Sequence, residues 1–131
     1  MEIQLAPHET HSIHSYSERS ILINGQTYSQ SLCISRQHIH TPWGVTALNT
    51  LIQADLEPLL LETPEIILIG HTTCQQPPLS MISSLSRQRV GLEWMSIGAA
   101  CRTFNILLAE KREVVLGIII EPATLDTVNL I

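Results

Sequence analysis

Residues 91–120 read GLEWMSIGAACRTFNILLAEKREVVLGIII, and this stretch decides the fold. Residues 91–96 have the composition of a short strand, and Ser96 is suited to cap a helix from Ile97 to about Glu110. An unbroken aliphatic run from Val114 to Ile120 follows. A strand, a helix and a second strand in this order are typical of a parallel crossover unit, so the stretch predicts an α/β core.

A second strand and helix precede this unit. Residues 65–70, EIILIG, have the pattern of a strand buried on both faces. Pro77-Pro78 then favours a helix start, and Leu79, Ile82 and Leu85 repeat at helical spacing on the predicted helix 79–89. The second half of the chain therefore predicts a βαβαβ core with three parallel strands.

The first half adds antiparallel strands. Asn24-Gly25 between two short strand-like runs predicts a type I′ hairpin, and residues 31–35 predict a further strand. Asp55 predicts the N-cap of a short helix over 56–61. We therefore expect a single-domain, three-layer α/β fold over 1–131 with a mixed central sheet, in which residues 1–11 are loosely ordered.

Composition excludes several function classes. The net charge is -5, with 7 Lys and Arg against 12 Asp and Glu and no basic cluster, which argues against binding nucleic acid. The longest aliphatic run is too short for a membrane helix, which needs about 20 residues, so no direct membrane insertion is predicted. Three cysteines without a CxxC pair, and an N-terminus without signal-peptide features, favour a reducing cytoplasmic location.

Two loops follow predicted parallel strands and are predicted to form a ligand cleft, because ligands of parallel sheets sit at the carboxyl ends of the strands. One loop spans 70–76 and the other 96–102. In the second loop, small residues open a helix whose free N–H groups can approach an anion, and an arginine can add a charged contact. The alternative is that these residues are small because the helix packs closely on the sheet. The candidate cleft residues are Gly70, His71, Thr72, Thr73, Ser96, Gly98, Ala99 and Arg102.

The sequence supports a nucleophilic cysteine less strongly than it supports the ligand cleft. Cys101 lies in a first helical turn, where a thiol pKa can fall, and His71 and Cys74 share one loop. No third orienting residue is identifiable, and Cys101 falls on the apolar stripe of its helix, so a small core side chain is the favoured interpretation.

Metal chemistry also has a weak basis. Histidines recur at every third residue near the N-terminus and at alternate positions later, but a metal site needs three or four convergent ligands, so we interpret them as polar surface residues. They are His8, His11, His14, His38 and His40. No Walker, GxSxG, HExxH or GxGxxG motif is present, and no cofactor is predicted.

Three pieces of the chain occur in a characteristic order, namely Ile23-Asn24-Gly25 with Tyr28 and Ser31-Leu32, Pro64 to Gly70, and Gly91 to Met95 leading into Ala99 to Arg112. Together they resemble the Mth-domain family, a domain of unknown function whose relatives include the adipogenesis-associated Mth-domain protein and mitochondrial complex I assembly factor three. The resemblance covers about residues 12–120, and its most specific segment is Ala99 to Arg112. After the strand over 65–70, relatives commonly carry Gly-Thr-Gly, whereas this chain carries Gly70-His71-Thr72.

The resemblance implies a three-layer α/β fold, no established enzymatic activity, and a role in protein contacts like that of the family's assembly-factor branch. The low charge, together with Trp43, Trp94 and the apolar tail (Val128, Leu130 and Ile131), adds a signal for partner binding, although core packing is favoured for Trp94. We therefore expect a non-enzymatic protein that binds an unidentified protein, with assembly of a respiratory or membrane complex as one setting and self-association as another. The alternative is a small-ligand or anion binder, or an unrecognised enzyme, that uses the predicted cleft.

Overall fold

The computed structural model describes residues 12–73 and 75–122. The strands in these ranges are β1 Ile13–Tyr16, β2 Ile21–Ile23, β3 Gln26–Tyr28, β4 Leu32–Ile34, β5 Ile39–His40, β6 Ile66–His71, β7 Gly91–Ser96 and β8 Val114–Ile118. The α-helices are α1 Glu57–Leu60, α2 Leu79–Arg87 and α3 Ile97–Ala109, and short 3-10 turns precede α1 at Leu48–Thr50 and Gln53–Leu56.

The strands form two sheets. The central sheet has the order β5-β4-β8-β6-β7, in which β6 runs parallel to β7 and β8 while β4 runs antiparallel to β8 and β5. The smaller sheet, β1-β2-β3, is antiparallel. This arrangement confirms the predicted mixed central sheet with a C-terminal βαβαβ core and N-terminal antiparallel strands.

The central sheet buries both of its faces. Along β6, Leu68 belongs to the hydrophobic core that contains the α3 residues and the small sheet, whereas Ile67 and Ile69 belong to the core that contains α1 and α2. Alternate residues of a strand point to opposite faces, so an all-aliphatic strand supplies both cores at once. The result is the predicted three-layer packing, with helices on both sides of the sheet.

Two local predictions of turn and cap chemistry are confirmed. Asn24 and Gly25 have φ values of 48° and 88°, as a type I′ hairpin between β2 and β3 requires. Ser96 Oγ accepts a hydrogen bond from the Ala99 N–H at 3.2 Å and caps α3. Both features depend on neighbouring residues alone, which is why the sequence reveals them.

Three predictions about individual residues are wrong. Asp55 does not cap α1, because its carboxylate accepts the Ile52 N–H at 2.9 Å within the preceding 3-10 turn, and Leu56 occupies the cap position. Leu79 is exposed, and Met81 with Leu85 forms the buried face of α2. Trp94 is not a fully buried core residue, because it is half-buried on the edge strand β7, from which it packs against the core that contains α1 and α2.

Candidate functional site

A cleft of ≈ 440 Å³ opens at the carboxyl ends of the parallel strands β6 and β7. Its volume is in the range of small-molecule sites. The loop after β6, the end of β7, the start of α3 and the end of β1 form its walls. The lining residues are Tyr16, Ser17, Glu18, His71, Thr72, Thr73, Gln75, Gln76, Trp94, Met95, Ser96, Ile97 and Gly98.

The structure brings most of the predicted cleft residues together. His71, Thr72, Thr73, Ser96 and Gly98 line the cleft. The other three predicted residues, Gly70, Ala99 and Arg102, are not among its lining residues.

Gly70 serves helix packing, which was the alternative interpretation of the small residues. A Cβ placed on Gly70 would lie 3.0 Å from the Ala100 Cβ and 3.3 Å from the Ile97 Cα. Contacts this short require the neighbouring backbone to move. Gly70 therefore allows α3 to pack closely on β6, and this packing fixes the α3 N-terminus at the edge of the cleft.

His71 is the buried polar residue of the cleft, with 3% of its surface exposed. Its Nδ1 is 3.1 Å from the Thr73 backbone nitrogen and 3.2 Å from Thr73 Oγ1. A backbone N–H can only donate, so Nδ1 accepts and the ring proton lies on Nε2. Burial lowers the pKa of the His71 imidazole, so the ring stays neutral near neutral pH.

Trp94 places a second ring beside His71. The two ring centroids are 5.9 Å apart, and the planes meet at 74° in an edge-to-face arrangement. The His71 Nε2 and Trp94 Nε1 atoms are buried, and neither has a hydrogen-bond partner among the described residues. Both carry a proton, so the cleft contains two N–H donors that find no acceptor in residues 12–73 and 75–122.

Tyr16 forms the wall that the sequence did not predict. A Cβ on Gly98 would lie 2.9 Å from Tyr16 Cε1, so the glycine leaves room for the tyrosine ring over the first turn of α3. Arg102 Nη1 donates to the Tyr16 hydroxyl at 2.6 Å. Arg102 therefore contacts the wall of the cleft, and its predicted contact with a ligand anion stays a prediction. No short-range sequence signal links Tyr16 to residues more than 80 positions away.

The cysteines of the described residues favour packing over chemistry. Cys101 is 1% exposed, and burial raises its pKa to about 12, although nearby Arg102 opposes this shift. Burial also raises the pKa of Cys33 well above its usual range. Neither thiol is poised as a nucleophile near neutral pH. Cys74, the proposed partner of His71, lies outside the described residues.

Within residues 12–73 and 75–122, no group of three or more His, Cys, Asp or Glu side chains could hold a metal ion. His38 Nδ1 instead lies 3.0 Å from Glu62 Oε1. His8, His11, the N-terminal residues 1–11 and the apolar tail (Val128, Leu130 and Ile131) lie outside the described part of the chain.

A second concavity, the edge groove, lies beside the edge strand β5 and has a volume of ≈ 850 Å³. Leu61 lines it and is 83% exposed. The edge groove shares no lining residue with the cleft. Its lining residues are His38, Ile39, His40, Gln53, Glu57, Pro58, Leu60, Leu61, Glu62, Ser84 and Gln88.

No helix in the described part of the chain has the length and apolar character to cross a bilayer. The cytoplasmic location stays a prediction, because one similar protein is named as a membrane protein. This relative is the 13 kDa major membrane protein of Francisella tularensis subsp. holarctica (strain LVS), which is 29% identical over 101 residues, or 76% of this chain and 82% of the relative.

Solved structures share the fold. A Xanthomonas campestris protein determined by NMR is similar with a TM-score of 0.76 and 29% identity, over 85% of each chain. A Mth938-like domain from Bordetella pertussis is similar with a TM-score of 0.76 and 20% identity, over 89% of this chain and 90% of that one.

The family comparison agrees with the predicted resemblance. A family model described as a protein of unknown function, DUF498/DUF598, matches residues 13–119, which include the cleft and both sheets. The Mth938-like structural neighbour confirms the Mth-domain resemblance. This chain therefore belongs to the DUF498/DUF598 family of proteins of unknown function.

Proposed function

We propose that this protein binds a small molecule in the cleft between the loop after β6 and the junction of β7 with α3. The observation that carries the proposal is the pair of buried donors, His71 Nε2–H and Trp94 Nε1–H, that lack acceptors among the described residues. An unsatisfied buried donor costs about 1–3 kcal/mol, and most buried polar groups in folded proteins are paired. A ligand acceptor would remove this cost.

The position of the cleft supports the same function. It lies at the carboxyl ends of two parallel strands, where open α/β sheets bind their ligands. Met95, Ile97 and the rings of Tyr16 and Trp94 give it apolar surface, while the loop after β6 supplies polar side chains. Few polar groups in an apolar concavity are typical of small-molecule sites.

A thermal-shift screen of small metabolites tests this function. A ligand present at 100 times its Kd stabilises the folded state by about 2.7 kcal/mol, which raises the melting temperature by several degrees. Thr72→Trp should abolish the shift, because Thr72 lines the cleft from an exposed position and the larger side chain would fill it. Ile106→Trp is the matched control, since Ile106 is exposed on α3 and does not line the cleft. The proposal fails if no compound shifts the melting temperature, or if Thr72→Trp leaves the shifts unchanged.

Binding of a partner protein is a second candidate function, and the edge groove favours it. Leu61 places a large, exposed aliphatic side chain in that groove, next to the edge strand β5. Exposed apolar surface beside an open sheet edge is a common feature of protein-binding sites. An assembly role rests on the family resemblance, and cross-linking with groove variants tests whether a partner binds.

A further inference from the structure

The cleft also indicates the chemical class of its ligand. This inference rests on the proposed small-molecule function and adds the group that the ligand presents.

The His71 tautomer determines whether a ligand atom that contacts Nε2 must donate or accept a hydrogen bond. The Thr73 N–H occupies Nδ1 as a donor, so Nε2 must carry the proton and cannot accept. The Trp94 indole nitrogen is a donor in every protonation state. A ligand group that satisfies both nitrogens must therefore present acceptors and no protons at this point.

The rings that carry these donors are neighbours. His71 ends β6, and Trp94 lies on the adjacent strand two residues before the partner of His71, which is Ser96. Side chains two residues apart on a strand share a face, so both rings point to the same side of the sheet. A planar group with two acceptor oxygens, or one oxygen with two lone pairs, suits two neighbouring donors.

The charge near the cleft disfavours a ligand group with more than one negative charge. The positive end of the thirteen-residue helix α3 lies at its edge, equivalent to roughly half an elementary charge. No Lys or Arg is among the lining residues, and Glu18 contributes a negative charge. A dianionic phosphate would face Glu18 without a basic side chain, whereas a carboxylate brings one charge and two acceptor oxygens.

We propose that the cleft binds a small carboxylic acid, whose carboxylate accepts hydrogen bonds from His71 Nε2–H and Trp94 Nε1–H beside the α3 N-terminus. Its apolar body extends across the carboxyl ends of β6 and β7 toward the Tyr16 ring, which lines the cleft from the α3 side of the sheet. Both ring nitrogens are buried in the structure, so the carboxylate reaches them only when the atoms that cover them shift.

The test uses a fragment panel in which each apolar skeleton is presented as a carboxylate, a primary amide and a phosphate monoester. Binding is measured by NMR titration of the ¹⁵N-labelled protein, with the Trp94 indole N–H and the His71 ring nitrogens as reporters. We expect the carboxylates to bind at least 10-fold more tightly than the matched amides and phosphates, and to shift the Trp94 indole N–H resonance. The ¹⁵N shifts of His71 in the free protein should show the Nε2–H tautomer.

Trp94→Phe keeps an aromatic ring and removes the N–H. It should weaken carboxylate binding about 10- to 100-fold, as expected for a hydrogen bond to a charged group. Trp43→Phe is the control, because Trp43 Nε1 donates to the Asp55 carbonyl outside the cleft, at 3.0 Å.

The possible outcomes separate the two proposals. The carboxylate assignment would be overturned if amides or phosphates bound as tightly as the carboxylates and Thr72→Trp weakened their binding. That result would leave the proposed small-molecule function intact. An Nδ1–H tautomer of His71 would also overturn the carboxylate assignment alone, and so would a Trp94 indole N–H resonance that does not shift when carboxylates are added. Absence of cleft binding by every fragment and metabolite would overturn both proposals.

Discussion

Gly117 shows how one residue without a side chain leaves room for the Trp43 ring in the core that contains α1 and α2. A Cβ at this position would lie 2.8 Å from two carbons of the Trp43 ring and 3.1 Å from Ile69 Cδ1. Trp43 is buried against β8 and its indole N–H is anchored to the Asp55 carbonyl. The ring therefore has little freedom to move away from an added methyl group.

Gly117→Ala should reduce the free energy of unfolding by about 1–3 kcal/mol, because overpacking forces side chains or backbone to shift. Gly91→Ala is the matched control. Gly91 also lies on a strand of the central sheet, but its nearest neighbour would be 3.6 Å from the added Cβ. The control should change stability by less than about 1 kcal/mol. Urea denaturation of both variants measures the difference, and equal effects would contradict the packing argument.

At the scale of single residues, the sequence predicts the local role of a residue better than the distant residues that it contacts. Ser96 was correctly predicted as a cap, and Cys101 as a small core residue, because both roles follow from position on α3. His71 lines the cleft, but its tautomer depends on the Thr73 N–H. The role of Trp94 was missed, although its spacing of two from Ser96 on β7 places it on the same sheet face as His71.

At the scale of elements, α3 joins the two sheets. One face packs on the central sheet, and Asn105 on the helix holds the first strand of the small sheet. The Asn105 Oδ1 accepts the Ile13 N–H at 3.0 Å, and its Nδ2 donates to the Ile13 carbonyl at 2.9 Å. This pair of bonds acts as a clamp between α3 and β1.

Asn105→Ala should destabilise the protein by about 1–3 kcal/mol, because it leaves two partly buried backbone groups of Ile13 without their partner. The Ile13 amide should exchange with solvent faster, since the Asn105 side chain accepts its N–H. Hydrogen exchange measured residue by residue checks this. Ile106→Ala, at an exposed neighbouring position, should leave Ile13 unchanged. An unaltered Ile13 exchange rate in Asn105→Ala would show that the clamp contributes nothing.

The helices α3 and α2 show that the sequence predicts where a helix lies better than which face of a short helix is buried. The helix over 97–110 was predicted almost to its observed end at Ala109, because one apolar stripe runs along its whole length. α2 was found, but its buried face was misassigned to Leu79. A nine-residue helix has too few turns to distinguish Met81 from Leu79 by spacing alone.

At the scale of the whole molecule, two separate surfaces carry the two candidate functions. The cleft lies at the carboxyl ends of β6 and β7, and the edge groove lies beside β5 at the other end of the strand order. Binding at one surface should therefore be independent of substitutions at the other.

Leu61→Glu should prevent cross-linking to a partner in a lysate of the native host, because it places a charge in the apolar groove, and should leave small-molecule binding intact. Leu79→Glu is the control: Leu79 is 79% exposed, close to the 83% of Leu61, but does not line the groove. Mass spectrometry of the cross-linked products identifies the partner. Capture that persists in Leu61→Glu, or that yields only a second copy of this chain, would argue against a groove that binds another protein.

The sequence by itself determined the elements and the fold class of this protein. Alternation, helical spacing, caps and the Asn24-Gly25 turn act between residues close in the chain, so they can be read without knowing how the elements pack. Only the tertiary structure decided that β8 lies between β4 and β6, that β7 is an edge strand, and that Tyr16 covers the start of α3. Which elements become neighbours depends on which apolar faces pack together. Because many strands in this chain carry similar aliphatic faces, the sequence does not distinguish between the possible pairings. The pair of buried donors that lack an acceptor within the described part of the chain arises from that packing, because the strand pairing sets His71 beside Trp94.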